Sequence, residues 1–318
     1  MIGVIYGGES LEHEVSVMSA EDLFTALDVK KFYIDKSGTW FVDGIETEDV
    51  VSHLKTCSVI FPLVHGGYGE DGTLQGFLEI NGLAYVGCDV AASSICMDKD
   101  VTKRILESHK VATTPYKTYY SLEEALNDEI KTPCIVKVSS MGSTFGVYKV
   151  EDDPAPSLEK AFALSPKVLV EEFIDGREVW CSVLEDEDEL IISPPCEIVS
   201  GGGFFTYEEK YTKESKTIYH LPAENVNAEE IKEIAKKTFK VLGCSGFARV
   251  DFFITKTNQI LVNEVNTIPG FRRESLFPKA LRSLGISYES IISMLIQKAV
   301  ENKNKKDSYK IISSLSNL

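Results

Sequence analysis

A chain of 318 residues exceeds one ordinary hydrophobic core, so two or three domains are expected. Lys+Arg 33 against Asp+Glu 49 gives a net charge of −16, which argues against nucleic acid or an anionic membrane as the main partner. An anionic ligand must therefore be held by a few placed cations. Apolar content of 43% suffices for burial, no apolar stretch approaches membrane-spanning length, and the 7 cysteines form no C-x-x-C pair. The chain reads as a cytoplasmic protein with reduced core thiols.

Residues 2–6 form a buried-type strand ending at Gly7-Gly8. Residues 14–27 have helical spacing, with Val15, Met18, Leu23 and Leu27 as the expected core stripe. A second strand at 59–64 runs into His65-Gly66-Gly67, followed by a helix at 73–80 and a short strand at 84–86. Alternating strands and helices imply a parallel sheet, whose ligands bind beyond the strand carboxyl ends. One long helix is expected over 91–109, then a strand at 116–119, a helix at 122–126, and strands at 134–138, 147–150 and 168–173. The last part holds a strand at 178–184, a Gly201-Gly202-Gly203 loop, a helix at 228–242, a hairpin, and a helix at 288–299. The tail at 301–318 is polar and is expected to be loose.

The hairpin carries the clearest chemistry. Runs 247–254 and 259–265 are β-rich and separated by a turn-like 255–258. Residues two apart share a strand face, so Arg249 and Asp251 point together, as do Glu264 and Asn266. Two carboxylates and an amide carbonyl suit Mg²⁺; the alternative is an ordinary charged, wet sheet face. Lys137, inside an apolar strand, calls for an anion. The small-residue loop Gly142-Ser143-Thr144-Phe145-Gly146 could cradle phosphate or be a plain tight turn. Lys99 reads equally as a solvent lysine. Glu171-Glu172-Phe173-Ile174 could offer edge groups to a planar base or mark a domain crossover. Glu12, beside Glu9, His13 and Glu14, could cap a helix or bind an ammonium. The aromatic, charged run 204–211 reads as a lid or a surface excursion.

Several motifs, in order, resemble the D-alanine–D-alanine ligases of the ATP-grasp superfamily over essentially residues 1–300. They are Gly7-Gly8…Glu12-x-Glu14-Val15-Ser16, His65-Gly66…Gly69-Glu70-Asp71-Gly72, Met97-Asp98-Lys99, Lys137…Gly142-Ser143-Thr144…Gly146 and Glu208-Glu209-Lys210-Tyr211. Arg249-x-Asp251 and Asn263-Glu264-x-Asn266-Thr267-x-Pro269-Gly270…Ser275-Leu276-x-Pro278 complete the set. The resemblance implies a three-domain ATP-grasp architecture of α/β and α+β class with an amino-terminal parallel-sheet (pre-ATP-grasp) domain. Its implied limits are 1–90 for the amino-terminal domain, 91–174 for the central subdomain and 175–318 for the carboxyl-terminal one.

It also implies ATP-dependent formation of D-alanyl-D-alanine for peptidoglycan, through an acyl phosphate. Lys99 and Lys137 would contact phosphates, and Ser143 and Thr144 would close over them. Glu171, Glu172, Phe173 and Ile174 would hold adenine, with Glu178 at the ribose and Phe253 packed on the base. Asp251, Glu264 and Asn266 would hold two Mg²⁺ ions, with Mn²⁺ as a substitute. Glu12 would bind the first substrate's ammonium beside His65 and link to Ser143 and Tyr211. Arg249 and the Gly270 N–H would face the oxyanion, while Lys210, Ser275 and Leu276 would hold the second carboxylate. The partners implied are D-alanine and ATP, with neither nucleic acid nor membrane, in a homodimer. The alternatives are a ligase joining D-alanine to another acceptor and a catalytically silent ATP-binding homologue. The run Phe271-Arg272-Arg273-Glu274-Ser275 departs from the family pattern and bears on the second substrate. Both arginines are expected to point outward or to pair with nearby acids.

Overall fold

The computed structural model describes residues 1–142, 145–187, 189–199 and 218–312. The chain begins with β1 (Ile2–Gly7), α1 (His13–Ala26), β2 (Val29–Ile34), β3 (Trp40–Val42) and β4 (Ile45–Glu46). It continues through α2 (Val50–Leu54), β5 (Val59–Pro62) and α3 (Thr73–Ile80). The five strands lie in the order β4-β3-β2-β1-β5, with β2, β1 and β5 parallel and β3 and β4 added antiparallel. The expected parallel sheet is present with an antiparallel edge that periodicity did not disclose. The expected strand at 84–86 reduces to one parallel bridge, Ile60 to Tyr85.

The core stripe expected for α1 is corrected in part: Leu23 is buried and Leu27 packs against the core, but Val15 and Met18 do not belong to it. His13, Ser16, Ser19, Ala20 and Leu23 are its buried face, whereas Val15 and Met18 border the cleft described below. Ser16 explains the shift: its hydroxyl accepts from the Gly7 N–H at 2.7 Å and donates to the Leu63 carbonyl at 2.7 Å, so a polar residue is satisfied inside. At Gly7, with φ of +91°, an added Cβ would meet the Ile34 carbonyl oxygen at 2.1 Å, so only glycine permits this turn off the sheet.

Next come α4 (Val90–Met97), α5 (Lys99–Ser108), β6 (Tyr116–Tyr119), α6 (Leu122–Leu126), β7 (Cys134–Val138), β8 (Val147–Val150), α7 (Ala155–Leu164) and β9 (Val168–Glu172). The strands pair antiparallel in the order β6-β9-β7-β8. The single helix expected over 91–109 is two helices. Asp98 breaks it with φ −86° and ψ 100°, and caps α5 by accepting from the Val101 N–H at 3.2 Å. The same carboxylate accepts from Ser139 Oγ at 2.6 Å, which ties the break to the end of β7.

The rest comprises β10 (Gly176–Asp186), β11 (Glu189–Ile192), β12 (Cys196–Val199), β13 (Ile218–His220), α8 (Ala228–Val241), β14 (Phe247–Thr255), β15 (Ile260–Asn266), α9 (Leu276–Arg282) and α10 (Tyr288–Ile312). This sheet runs β13-β12-β10-β14-β15, with β11 paired to β10. The loose tail expected over 301–318 is corrected for 301–312, because α10 continues to Ile312; residues 313–318 lie outside the described residues. Asn302 donates to Ser245 Oγ at 2.7 Å and Lys306 pairs with Glu79 at 2.5 Å, so polar long-range contacts hold a segment that shows no apolar stripe. All 7 cysteines are free thiols, as expected. Among the described residues no helix is long and apolar enough to cross a membrane.

One aromatic cluster links the ends of the chain and supports the segment after Pro269. Phe271 packs on Phe61 at 5.1 Å and on Tyr288 at 5.5 Å between ring centroids, and the Tyr288 hydroxyl donates to the Phe271 carbonyl at 2.8 Å. Phe271 is fully buried, so Phe271→Ala should cost about 3–5 kcal/mol in unfolding free energy. Urea denaturation checks this, and a loss under about 1 kcal/mol would show that the segment is held some other way.

Candidate active site

Every described residue of the sequence-predicted set borders one cleft of about 470 Å³: Glu12, His65, Lys99, Lys137, Glu171, Glu172, Phe173, Ile174, Glu178, Arg249, Asp251, Phe253, Glu264, Asn266, Gly270, Ser275 and Leu276. Ser143, Thr144, Lys210 and Tyr211, with the 204–211 run, lie outside the described residues.

The carboxylate wall is the predicted hairpin. Burial alternates along β14, which turns Arg249, Asp251 and Phe253 to the cleft and Val250, Phe252 and Ile254 to the core. Asp251 pairs with Glu264, but Phe252 pairs with Val262, so Asn263 is an extra residue in β15. Such a bulge re-aims side chains. Here it lets Asn263 border the cleft along with Glu264 and Asn266. Arg249 grips Asp251 with a fork, Nε to Oδ1 and Nη2 to Oδ2, each at 2.7 Å. Asn266 Nδ2 donates to Asp251 Oδ2 at 3.2 Å, which fixes the amide with its nitrogen on Asp251. Among the described residues no group of three or more His, Cys, Asp or Glu converges on a metal position. The donors on this wall are two carboxylates and an amide, all offering oxygen, which fits an ion that completes its shell with water and phosphate.

The cationic wall is more buried. Lys99, at the start of α5, is 8% exposed and donates to the Met141 carbonyl at 2.8 Å. Burial pulls its ammonium below the ordinary lysine range. Lys137 on β7 is 5% exposed, meets Glu171 Oε2 at 2.7 Å, and reaches Asn263 Oδ1 at 3.4 Å.

Glu171 meets the cationic wall. Its carboxylate is turned to Lys137 and to Lys103 at 3.1 Å, and it accepts from Thr114 Oγ1 at 2.9 Å. Burial alone would raise its pKa, but the two ammonium groups bring it down to about 2. The next two backbone N–H groups are also used, Glu172 on the Pro115 carbonyl at 3.0 Å and Phe173 on the Pro133 carbonyl at 3.4 Å. Those two donors are therefore taken up within the fold.

A group whose folded value lies below its ordinary 4.5 stabilises the fold above that pH and loses the contribution as pH falls toward 2. Glu171→Gln should therefore flatten the dependence of the urea midpoint on pH between about 4.5 and 2, removing on the order of 1–3 kcal/mol of it. Superposable pH curves for the two proteins would contradict this.

Lys103 and Thr114 were missed. The available signal was spacing: Lys103 follows Lys99 by one helical turn, on the same side of α5. Asn263 was quoted within its motif but given no role.

At the other end of the cleft, Glu12 is the residue at the amino-terminal cap of α1, and its carboxylate borders the cleft. Cβ atoms added to Gly142 or Gly66 would lie 2.8 and 3.0 Å from Glu12 Oε2, so two glycines make room for it. His65 is 3% exposed and stands 3.4 Å from Glu70. Burial opposes its protonation, yet the Glu70 hydrogen bond and charge, with Glu12 beyond, hold the imidazole above the usual histidine range. Ser275 Oγ accepts from the Arg272 N–H at 3.2 Å at the start of α9. Arg273 pairs outward with Glu289 at 2.7 Å and lies 4.6 Å over the Tyr288 ring, and Glu274 pairs with Arg282 at 3.0 Å. Arg272 is exposed at the cleft edge, with Nη1 3.7 Å from Met18 Sδ.

Comparison with known proteins supports the same reading. The family model described as "D-ala D-ala ligase C-terminus" matches residues 105–297, and "D-ala D-ala ligase N-terminus" matches 1–55 and 42–88. The D-alanine–D-alanine ligase of Oceanobacillus iheyensis is 37% identical, with 96% of each chain covered. Among solved structures, the VanG D-Ala:D-Ser ligase of Enterococcus faecalis has a TM-score of 0.83 at 35% identity, covering 94% of this chain and 98% of that one. The D-alanine–D-alanine ligase of Bacillus anthracis complexed with ATP has a TM-score of 0.77 at 28% identity, covering 96% and 99%. With both family models matched in order, and their motif residues gathered on one cleft, the chain belongs to the D-alanine–D-alanine ligase family of ATP-grasp enzymes.

Proposed function

We propose that the protein joins two D-alanines to D-alanyl-D-alanine at the expense of ATP, with the cleft as its active site. The observation that carries this is the pairing of two buried lysines on one wall with Asp251, Glu264 and Asn266 on the other. A silent ATP-binding homologue has no use for that opposed set together with Arg249.

The reaction runs in two steps. The carboxylate of the first D-alanine attacks the γ-phosphorus of ATP, giving an acyl phosphate and ADP. The amine of the second D-alanine, having lost a proton, attacks the acyl carbon, and phosphate leaves. Lys99 and Lys137 bind and orient the phosphates as point charges. Asp251, Glu264 and Asn266 are the residues that would hold Mg²⁺, which when bound neutralises phosphate charge. Glu12 holds the first substrate's ammonium, with His65 beside it. Arg249 and the Gly270 N–H stabilise the tetrahedral oxyanion. Ser275 and the Leu276 N–H receive the second carboxylate, together with Lys210. Phe253 packs on the adenine, Glu172, Phe173 and Ile174 border it, and Glu178 meets the ribose. Ser143, Thr144 and Tyr211 close over the site and keep water from the acyl phosphate. The domain limits 1–90, 91–174 and 175–318, a cytoplasmic location and a homodimer belong to the same proposal; sedimentation tests the last.

The deciding experiment is phosphate release over a panel of D- and L-amino acids, D-serine included, with product mass measured. D-alanyl-D-alanine as the main product supports the proposal, and a mixed dipeptide or no release overturns it. Arg272 is exposed and its neighbours are paired outward, so Arg272→Thr should change the second-site KM by less than about tenfold, or ~1.4 kcal/mol. A switch of acceptor preference in that variant would make Arg272 a specificity residue.

A further inference from the structure

Lys103 is 0% exposed and does not border the cleft, so it cannot touch a ligand there. Its ammonium donates to Thr113 Oγ1 at 2.8 Å and to Thr114 Oγ1, and Thr114 Oγ1 donates onward to Glu171 Oε2 at 2.9 Å. Lys103 also stands 3.1 Å from Glu171 Oε1, a buried charge pair. Glu171 Oε2 then meets Lys137 at 2.7 Å. A methionine would fill the volume of Lys103 without the cost of burying a charge.

Charge supplies the reason for a lysine. Lys137 and Glu171 alone would form a neutral pair, with the ammonium drawn onto the carboxylate. With Lys103 the cluster holds two ammonium groups and one carboxylate, a net charge of +1. In a chain of net charge −16 no diffuse basic field replaces it.

We infer that Lys103, with Thr114 as its relay, is a positioning residue for nucleotide binding: it holds Glu171 in place and leaves Lys137 with charge to offer the phosphates. This rests on the reading of the cleft as an ATP site.

The test uses the full chain, with calorimetric ATP binding and steady-state kinetics side by side. Lys103→Met should raise both the Kd and the KM for ATP by about tenfold or more, leaving the KM for D-alanine within about threefold. In a Lys137→Met background the same change should add less than about twofold, because the effect passes through Lys137. Thr114→Val should raise the KM for ATP by about threefold or more, and Thr114→Ser, which keeps the hydroxyl, should restore it. A merely structural Lys103 would lower the melting temperature and active fraction while the Kd for ATP stayed within twofold, and that result overturns the inference. If Lys103→Met does not fold, the Thr114 pair decides, with an unchanged KM in Thr114→Val overturning it. Failure of the parent protein to bind ATP would instead remove the reading of the cleft, and the inference with it.

Discussion

Glu264→Gln should lower kcat by at least about a hundredfold, roughly 2.7 kcal/mol of transition-state stabilisation, with little change in melting temperature. Gln keeps the shape of Glu and removes only the charge. Glu264 faces Asp251 across the hairpin, and the extra residue at Asn263 keeps the carboxylate on the cleft. Removing it halves the negative charge available to hold a divalent ion against a triphosphate. The loss should shrink as Mg²⁺ is raised, since a weakened site still fills at high concentration. The check is turnover across a Mg²⁺ titration, with circular dichroism melts as the control for folding. Near-normal turnover at limiting Mg²⁺ would take Glu264 out of the metal site.

Arg249→Lys should be nearly as damaging, lowering kcat by about 10²–10³-fold with both KM values within about threefold. Charge is conserved in this change, so the loss reports geometry. The guanidinium holds both Asp251 oxygens at 2.7 Å, a fork that a lysine ammonium cannot reproduce. Both side chains are mostly buried, 15% and 17% exposed, so solvent screens the pair only weakly. An arginine acting on the oxyanion stabilises only the transition state, and kcat and kcat/KM should then fall together. A kcat within fivefold of the parent would leave Arg249 as a support for Asp251 and nothing more.

The sequence alone determined the local pieces whose burial alternates or is continuous. The β14–β15 hairpin, with Arg249 and Asp251 on one face, follows from a period of two that any strand must obey. The strands at 116–119, 134–138 and 147–150 and the helices at 73–80 and 122–126 fall where their apolar runs place them. So do the site residues carried by the family motifs, since those motifs are short and their chemistry is written in the side chains. The tertiary structure decided the rest. The break at Asp98 is made by a local cap on the Val101 N–H, which apolar periodicity does not register, and the same carboxylate is tied to Ser139, 41 residues away, which only the fold could show. The continuation of α10 through a polar segment depends on Glu79, 227 residues away. The mixed edge of the first sheet, β11 to β13 and helix α7 were illegible because short half-buried segments carry weak patterns. Most of all, the partners of Glu171 could not be read from the chain. The buried charge of Glu171 is tolerable only where Lys103, Thr114 and Lys137 meet it, and that meeting exists only once three separate elements are packed.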